Sequence, residues 1–340
     1  MTDKFVLVTG GAGYIGSHVA VELLASGFNV VILDNFSNSS LRVFERIEKI
    51  SGKRPRMIKG DVRDVNVVNA IFKDYKIDSV LHFAGLKSVG ESVSNPLAYY
   101  DNNFSGTVNL LAAMANASVY KFVFSSSATV YGKYCEMPVS ESCKNLDPSN
   151  PYGRTKLMLE SLLTDLCQSD RRWRVAVLRY FNPIGAHESG LLGEDPSGTP
   201  SNLLPYISKV AIGNLSKVQV FGRDYDTPDG TGIRDYIHVM DLALGHLQAL
   251  RVLNEREGIG LWNLGTGRGY SVLEVIRMFE LVSNKEIPFE FVERRRGDVA
   301  NCFADPSKAK SELNWVANKG LKEMIVDTWN WQLKNPNGYH

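Results

Sequence analysis

The chain of 340 residues has few cysteines, and their spacing matches no familiar site. Cys135, Cys143, Cys167 and Cys302 contain no Cys-x-x-Cys pair of the kind found in zinc knuckles and redox motifs. This pattern indicates neither a disulfide framework nor a zinc site. The six histidines form no metal-binding spacing either, so we expect them to be structural and expect no bound metal.

An excess of one charge and long apolar runs are also missing. Lysine plus arginine number 38 and aspartate plus glutamate 37, so no basic surplus exists for binding nucleic acid. Apolar runs such as Phe5–Val8 and Val30–Leu33 are too short to span a bilayer. No apolar signal region follows Met1. We therefore expect a cytoplasmic protein that binds neither nucleic acid nor membrane.

The sequence does contain the composition of a globular protein and a regular alternation of patterns. Hydrophobic residues make up 44% and charged residues 22%. In the first half, short β-branched runs alternate with amphipathic segments, which predicts an α/β fold with a doubly wound parallel sheet. The predicted strands are Phe5–Val8, Val30–Leu33, Arg56–Ile58, Ser79–Phe83, Phe122–Ser125 and Val175–Leu178. The predicted helices are Ile15–Ser26, Val67–Asp74, Pro96–Ala115 and Tyr152–Ser169.

The pattern changes after Asn182. Loops rich in Gly, Pro, Asn and Asp dominate there, notably Gly185–Pro200 and Arg223–Gly232. The length of the chain also favours two lobes. We expect residues 1–182 to form a cofactor domain and residues 183–340 a smaller C-terminal substrate-binding lobe. Residues 235–262, beginning with the strand Asp235–Val239, are a candidate to return to the main sheet.

A glycine-rich turn follows the first predicted strand, with Gly10, Gly13 and Gly16 at three-residue spacing. Glycine allows a tight turn, close approach of a pyrophosphate, and packing of the next helix on the strand. Free N–H groups at the start of that helix can face the phosphates. Asp34 ends the second strand, where its carboxylate can accept hydrogen bonds from a ribose diol. The next residue is Asn35, and no adjacent arginine is present to bind the 2′-phosphate of NADP. The motif therefore predicts a Rossmann-type domain that binds NAD rather than NADP.

The segment Asp61-Val62 follows the third predicted strand. Carboxyl ends of neighbouring parallel strands share one edge of a sheet, so this pair can reach the adenine of a bound dinucleotide. An aspartate in an ordinary surface turn is an alternative of nearly equal weight, and the sequence leaves both open.

A Tyr-x-x-x-Lys pair lies further along, at Tyr152 and Lys156. Ser149 or Asn150 can cap a helix there, which places the two side chains on one face, a turn apart. A free phenol has a pKa near ~10 and is a weak base at neutral pH. We expect the Lys156 ammonium, together with a positive nicotinamide ring, to lower the pKa of Tyr152. Ser127, at the end of the Phe122 strand, can hydrogen-bond the oxygen that Tyr152 deprotonates.

The glycine spacing and the Tyr-x-x-x-Lys pair resemble the extended short-chain dehydrogenase/reductase superfamily, and longer strings resemble its UDP-glucose 4-epimerase family. The similarity extends to the Trp329–Tyr339 tail. It implies NAD-dependent interconversion of UDP-galactose and UDP-glucose through a 4-ketopyranose, by a homodimer serving galactose metabolism. The strings that carry the resemblance are His82–Lys87, Gly90–Val93, Tyr99–Asn103, Ser125–Gly132, Leu178–Pro183 and Gly230–Asp241.

The resemblance also implies roles for individual residues. The implied catalytic set is Ser127, Tyr152 and Lys156. The implied cofactor-binding residues are Gly10, Gly13, Tyr14, Ile15, Gly16, Asp34, Asn35, Asn38, Asp61, Val62, Phe83, Ala84, Gly85, Lys87, Asn102, Ser125, Tyr152, Lys156 and Tyr180. The implied UDP-sugar-binding residues are Lys87, Ser127, Ala128, Thr129, Tyr152, Phe181, Asn182, Asn202, Leu203, Phe221, Arg234, Arg295, Asp298 and Cys302.

Two features of the implied substrate site bear on its chemistry. Arginines such as Arg234 and Arg295 pair well with a diphosphate, although the run 294–296 alone would be interpreted as a solvated basic segment. Cys302 stands where the bacterial-type family pattern has a tyrosine. The smaller side chain leaves space of roughly one phenol ring, which predicts that UDP-N-acetylhexosamines also react.

Two other functions remain as alternatives. A nucleotide-sugar 4,6-dehydratase or decarboxylase begins with the same oxidation but needs a further acid–base pair. Dehydratases place Asp-Glu after a Ser/Thr-Thr, where this chain has Ala128 and Thr129. An NAD or UDP-sugar sensor without catalysis is the second alternative, against which the intact Ser127, Tyr152 and Lys156 argue.

Overall fold

Strands and helices alternate through most of the chain, in a computed structural model that describes residues 4–339 except 199, 201 and 296. The strands are β1 (Phe5–Thr9), β2 (Asn29–Asp34), β3 (Arg56–Lys59), β4 (Ile77–His82), β5 (Lys121–Ser127), β6 (Arg174–Tyr180), β7 (Asn182–Ile184), β8 (Val218–Phe221), β9 (Ile233–His238), β10 (Gly258–Leu264), β11 (Gly269–Ser271), β12 (Phe289–Val292) and β13 (Asn301–Cys302).

The helices lie between these strands and differ widely in length. They are α1 (Tyr14–Ala25), α2 (Arg42–Ser51), α3 (Val65–Asp74), α4 (Val89–Ser94), α5 (Pro96–Tyr99), α6 (Gly106–Asn116), α7 (Pro151–Ser169), α8 (Leu203–Ala211), α9 (Val239–Val252), α10 (Val272–Ser283), α11 (Ser307–Leu313) and α12 (Leu321–Lys334). A π-helix at Tyr100–Ser105 joins α5 to α6, and a 3₁₀ turn at Ala128–Val130 follows β5.

A seven-stranded sheet, in the order β10-β6-β5-β4-β1-β2-β3, forms the centre of the described chain. Its neighbouring strands are all parallel. Apolar side chains cover both faces: α1, α2 and α9 pack on one face, and α3, α6 and α7 on the other. Parallel strands joined by helical crossovers are buried on both sides, which explains their β-branched composition. The predicted α/β Rossmann-type fold is confirmed.

The predicted helix Pro96–Ala115 is not one regular helix. The π-helix interrupts it and separates α5 from α6. Wide turns of this kind often occur at functional sites. Here the turn contains the buried Asn103, whose side-chain amide bonds to Leu86 and Thr155. The interruption therefore coincides with contacts to the segment that follows β4.

The prediction that Asp235–Val239 returns to the main sheet is wrong. These residues lie in and just after β9, which pairs with β7, β11 and β13 in a separate small sheet. The buried Asp235 carboxylate explains this placement, because it accepts hydrogen bonds from the N–H groups of Thr266, Gly267 and Ala304. The later strand β10 does join the main sheet, beside β6. A third apolar cluster, containing α8, α10 and α12, packs around the small sheets.

The expectation of no disulfide is also wrong. Cys135 and Cys143 form a disulfide with their Cα atoms 6.0 Å apart, while Cys167 and Cys302 are free. Both bridged cysteines pack with the buried Tyr131 in a small apolar cluster. Packing of the chain after β5, rather than any sequence motif, brings the two thiols together. Among the described residues, no helix has the length and apolarity needed to cross a membrane.

Candidate active site

The glycine turn between β1 and α1 packs closely against backbone at the carboxyl edge of the sheet. Gly10 has a φ of +67°, and a Cβ on it would lie 2.6 Å from the backbone nitrogen of Ala84. A Cβ on Gly16 would lie 2.4 Å from the carbonyl oxygen of Gly10. Helix α1 begins after Gly13 without a side-chain cap. The N–H groups of its first turn, which includes Tyr14 and Ile15, are therefore suited to a pyrophosphate.

Asp34 holds the turn together from the end of β2. Its Oδ2 accepts a hydrogen bond from the N–H of Ala12 at 2.9 Å, and its Oδ1 accepts from Phe36 N–H and Ser39 Oγ, also at 2.9 Å. The residue is only 8% exposed. Because an ionised carboxylate has about four acceptor positions, Asp34 retains capacity for a ribose hydroxyl. These features fit NAD.

A second polar group lies at the ends of β2 and β3. Asn35 Nδ2 donates to Asp61 at 2.9 Å, and the Arg63 guanidinium pairs with the same carboxylate. Hydrogen bonds from Arg63 hold the pKa of Asp61 well below its usual range. Val62 is buried, in contact with Gly106. The Asp61 side chain is thus a fixed, ionised acceptor near the predicted adenine position.

The segment that follows β4 is held by Asn103, a residue that the sequence analysis did not select. Its Oδ1 accepts from Leu86 N–H at 2.8 Å, and its Nδ2 donates to the Leu86 carbonyl at 3.0 Å. A Cβ on Gly85 would lie 3.2 Å from Asn103 Oδ1. The predicted Asn102 is half-buried beside it. The two adjacent asparagines in the Tyr99–Asn103 string indicated a polar contact from this segment. Which of them faces inward depends on the π-helix, and it is Asn103 that is buried. Phe83 and Ala84 complete this segment, against the glycine turn.

Tyr152 and Lys156 lie on the first turns of α7, as predicted. Asn150 caps this helix, because its Oδ1 accepts a hydrogen bond from Gly153 N–H at 2.9 Å. Lys156 is buried, and its Nζ donates to the Ser125 carbonyl at 2.6 Å. This bond ties α7 to the end of β5, where Ser127 is located. The structure therefore brings the predicted catalytic set together.

Ser127 has its hydroxyl oxygen engaged as an acceptor. Thr129 donates to Ser127 Oγ from its N–H at 3.2 Å and from its Oγ1 at 3.0 Å. A hydroxyl that accepts on its lone pairs keeps its own proton for donation elsewhere. Thr129 and Ala128, both predicted to contact substrate, form the 3₁₀ turn directly after Ser127.

The pKa of Tyr152 differs from the expectation. In the protein alone burial raises it above its usual value, although hydrogen bonding with Ser127 and the charge of Lys87 act in the opposite direction. The Lys156 Nζ lies 5.9 Å from the Tyr152 ring centre. Burial also lowers the pKa of Lys156 to about 8. Desolvation therefore outweighs the lowering by Ser127 and Lys87, the expected lowering by Lys156 is not found in the protein alone, and the free protein keeps a neutral phenol.

Lys87 reaches across to the second half of the chain. Its Nζ lies 2.9 Å from Oε1 of Glu194, and Asn202 Nδ2 donates to the same oxygen at 2.8 Å. Asn202 precedes α8, which begins at the predicted Leu203. Asn38 makes a similar link, because its Oδ1 accepts from Ser197 N–H at 3.2 Å. Glu194 was not among the predicted residues, because its only signal in the sequence is an acidic pair within a glycine-rich loop.

Five of the predicted UDP-sugar residues converge around β9 and β13. The guanidinium carbon of Arg295 lies 3.9 Å from the Phe221 ring centre, and Arg234 Nη2 lies 3.7 Å from Asp298 Oδ1. Cys302 pairs with Arg234 across the two strands. Burial, and then the nearby charge of Arg234, lower the pKa of Arg295 while Asp298 opposes them. Two arginines that share one carboxylate leave positive charge for an anion.

The basic run 294–296 contains two other residues, neither of which the structure places in this group of five. Arg294 pairs with Asp224 and stacks on Tyr225 at 4.1 Å, and residue 296 lies outside the described part of the chain. Phe181 is buried and Asn182 exposed, directly after β6. Within the described ranges, no group of three histidine, cysteine or acidic side chains could hold a metal ion.

Comparisons with known proteins agree on one family. A family model described as GDP-mannose 4,6 dehydratase matches residues 7–328. A UDP-glucose 4-epimerase of Pasteurella multocida (strain Pm70) is 55% identical, over 98% of this chain and 99% of that protein. One from Bacillus subtilis (strain 168) is 56% identical, over 98% of both chains. The crystal structure of UDP-glucose 4-epimerase from Bifidobacterium longum in complex with NAD+ and UDP has a TM-score of 0.95 and 53% identity, and the match covers 98% of this chain and 99% of that one. The chain therefore belongs to the UDP-glucose 4-epimerase family, within the broader group that the dehydratase model describes.

Proposed function

We propose that this protein is an NAD-dependent UDP-glucose 4-epimerase that interconverts UDP-galactose and UDP-glucose through a 4-ketopyranose. The observation that carries the proposal is the bond from Lys156 Nζ to the Ser125 carbonyl, because it fixes Tyr152, Lys156 and Ser127 around one strand end. That strand end adjoins the glycine turn of β1 through β4. A proton acceptor and a dinucleotide pocket therefore share one edge of the sheet.

The residues of the chain would divide the reaction as follows. NAD supplies, when bound, the acceptor and later the donor of a hydride. Tyr152, as the phenolate that Lys156 and the positive nicotinamide of the holoenzyme would favour, would take the proton from the sugar 4-hydroxyl and return it after the keto sugar has rotated. Ser127, which hydrogen-bonds with Tyr152 in the free protein, would bridge the phenol and the sugar 4-oxygen. Lys156 holds the phenol in place and stabilises its anionic form.

The second half of the chain would anchor the nucleotide while the sugar rotates. Arg234 and Arg295 would bind the diphosphate bidentately, and Phe221 and Asp298 would contact the uridine half. Glu194 would orient Asn202 and Lys87 towards the diphosphate linkage of the UDP-sugar. Residues 183–340 would thus act as the substrate lobe and residues 1–182 as the cofactor domain, completed by the return of β10. Holding UDP fixed lets the sugar present either face without leaving the protein.

The experiment is to incubate purified protein with UDP-galactose without added NAD and to analyse the products. We expect UDP-glucose, because we expect NAD to remain bound through purification and the reaction has no net redox change. Formation of a 4-keto-6-deoxy sugar would instead favour the dehydratase, which Ala128 and Thr129 disfavour because neither can move a proton at C5 or C6. Binding of UDP-galactose without any conversion would favour the sensor. Either result would overturn the proposal.

The range of sugars is a finer part of this proposal. The Cys302 thiol is half-buried beside Arg234 and packs next to the cluster of Val139 and Phe181. We propose that the space left by a cysteine admits a 2-acetamido group, so that UDP-N-acetylglucosamine and UDP-N-acetylgalactosamine also interconvert. Cys302→Tyr is expected to lower the activity on UDP-N-acetylhexosamines. This decrease should be at least about tenfold larger than the decrease in activity on UDP-galactose. Absence of UDP-N-acetylglucosamine turnover in the parent protein would refute this part.

Assembly and location complete the proposal. Exposed apolar side chains at Val93 (62%), Leu97 (80%) and Met158 (42%) occupy α4, α5 and α7, which contact each other. Exposed apolar patches of this kind mark protein interfaces. We propose a cytoplasmic homodimer that buries this face and serves galactose metabolism. Sedimentation should show a dimer that Leu97→Glu dissociates, whereas a monomeric parent protein would exclude it.

A further inference from the structure

Tyr180 is a second tyrosine of the proposed site, and it is buried. It ends β6, and its Cα pairs with that of Ser127 across the sheet. Burial raises the pKa of Tyr180 well above its usual value, a hydrogen bond with Ser125 acts in the opposite direction, and the charge of Tyr152 adds to the rise. The site thus contains two phenols, on α7 and at the end of β6, of which the proposed mechanism uses one as a base.

The Tyr180 hydroxyl has a buried histidine as its partner. The ring of His246, on α9, is fully buried, and its Nε2 lies 2.5 Å from the Tyr180 hydroxyl. Its Nδ1 lies 2.8 Å from the carbonyl oxygen of Leu242, one turn earlier in the same helix. Phe83 packs against the imidazole with ring centres 4.8 Å apart. The imidazole therefore has a fixed orientation and one partner on each nitrogen.

The Leu242 carbonyl fixes the positions of the hydrogens on His246 and Tyr180. A carbonyl oxygen only accepts, so Nδ1 of His246 must carry a hydrogen. Burial lowers the pKa of His246 to about 4, so the ring is neutral at pH 7 and Nε2 carries a lone pair. Tyr180 must then donate its single hydroxyl proton to Nε2. Towards Ser125 and the pocket, the Tyr180 oxygen can present lone pairs alone.

We propose that the Leu242–His246–Tyr180 chain makes Tyr180 a fixed hydrogen-bond acceptor facing the cofactor pocket and leaves Tyr152 as the single acid–base phenol. The proposal rests on the function proposed above, which places the nicotinamide half of NAD at the ends of β5 and β6. The carboxamide of that group carries two N–H donors and fits an acceptor. His246 is a positioning residue in this scheme, because it acts through Tyr180.

The first test is the tautomer of His246, which needs no catalysis. We suggest two-bond ¹H–¹⁵N correlation spectra of the ¹⁵N-histidine-labelled holoenzyme, with the His246 signals assigned by their loss in His246→Gln. The expected pattern is a neutral ring protonated on Nδ1 between pH 6 and 8. A ring protonated on Nε2, or a charged ring, would overturn the proposal. Tyr152→Phe should abolish turnover yet keep this pattern, which separates this test from that of the proposed function.

The second test is retention of NAD. His246→Phe keeps the stacking on Phe83 but removes the acceptor, so the Tyr180 proton is free to turn towards the pocket. Loss of one hydrogen bond predicts about fivefold weaker retention of NAD during gel filtration. His246→Gln, which offers both a donor and an acceptor, should restore most of it. In a Tyr180→Phe background the His246→Phe change should have no further effect; full additivity, or no loss in the single variant, would contradict the proposal.

Discussion

The ammonium of Lys87 lies 2.9 Å from the carboxylate of Glu194, which joins the segment after β4 to the loop before α8. The Glu194 side chain is 8% exposed, whereas that of Lys87 is half exposed. Because Glu194 also accepts a hydrogen bond from Asn202, one carboxylate orients two residues of the proposed site. This ion pair thus links the two halves of the chain at the proposed site.

Glu194→Gln is expected to raise the KM for UDP-galactose about fivefold, with a smaller change in kcat. The physical reason is that a neutral amide holds Lys87 and Asn202 less firmly, at a cost of about 1 kcal/mol. Steady-state kinetics measure the effect. Glu188→Gln, in the exposed part of the same loop, is the matched control and should behave as the parent protein. An unchanged KM in Glu194→Gln would show that the carboxylate has no positioning role.

Lys156→Met is expected to lower kcat by roughly 10²- to 10⁴-fold, the usual contribution of acid–base catalysis. It removes the bond to the Ser125 carbonyl. It also removes the charge that the proposed mechanism uses to stabilise the phenolate of Tyr152. The acid limb of the pH–rate profile should move to higher pH, because Tyr152 then ionises less readily. Lys144→Met, at an exposed position, serves as the control. An unshifted acid limb would assign Lys156 a purely structural role.

His82 predicts a specific form of acid sensitivity. Burial, assisted by the charge of Lys156, lowers the pKa of His82 to about 3, and its ring bonds to Thr9 and Thr107. Between that value and the unfolded value of ~6.5 the unfolded chain binds the additional proton, so stability falls as pH drops through this window. His82→Gln should flatten the loss by up to ~1.4 kcal/mol per pH unit. Urea unfolding at several pH values from 4 to 7 measures the slope, and an identical slope in both proteins would contradict the assignment.

The Cys135–Cys143 disulfide predicts a redox dependence of stability. Closing a short loop constrains the unfolded chain by about 2 kcal/mol, so reduction or a Cys135→Ser, Cys143→Ser double substitution should lower the melting temperature by ~3 °C. Calorimetry with and without dithiothreitol tests this. Cys167→Ser, which removes an unpaired thiol, is the control. A parent protein whose melting is insensitive to reductant would show that the bridge does not form in solution.

Much of the fold could be predicted because the signals are local. Strands such as β1 and β6 are buried on both faces, and burial on both faces requires continuous apolar runs. The glycine turn is likewise written in consecutive residues. The sheet that receives Asp235 could not be predicted in this way, because its partners, Thr266 and Ala304, come from segments much later in the chain.

The site divides along the same line. The Tyr152, Lys156 and Ser127 set could be predicted from helix spacing and a strand end, and the structure brings these residues together. Glu194 and His246 escaped attention, since each acts through a partner that is distant in the sequence. Lys87 and Glu194 are separated by 107 positions, and Tyr180 and His246 by 66. No periodicity reports a contact of that kind, and only the folded chain reveals it.

Strand β10 has a consequence for how this chain is made. The edge of the seven-stranded sheet beside β6 stays open until residue 264 has been synthesised, and α9, which covers α1, precedes β10 by only a few residues. A nascent chain that stops after β7 presents an unpaired β6 edge and a bare apolar face on the ribosome. Truncation near residue 182 should therefore yield aggregates rather than a soluble cofactor module. During translation, the sheet can be completed only after β10 has been synthesised.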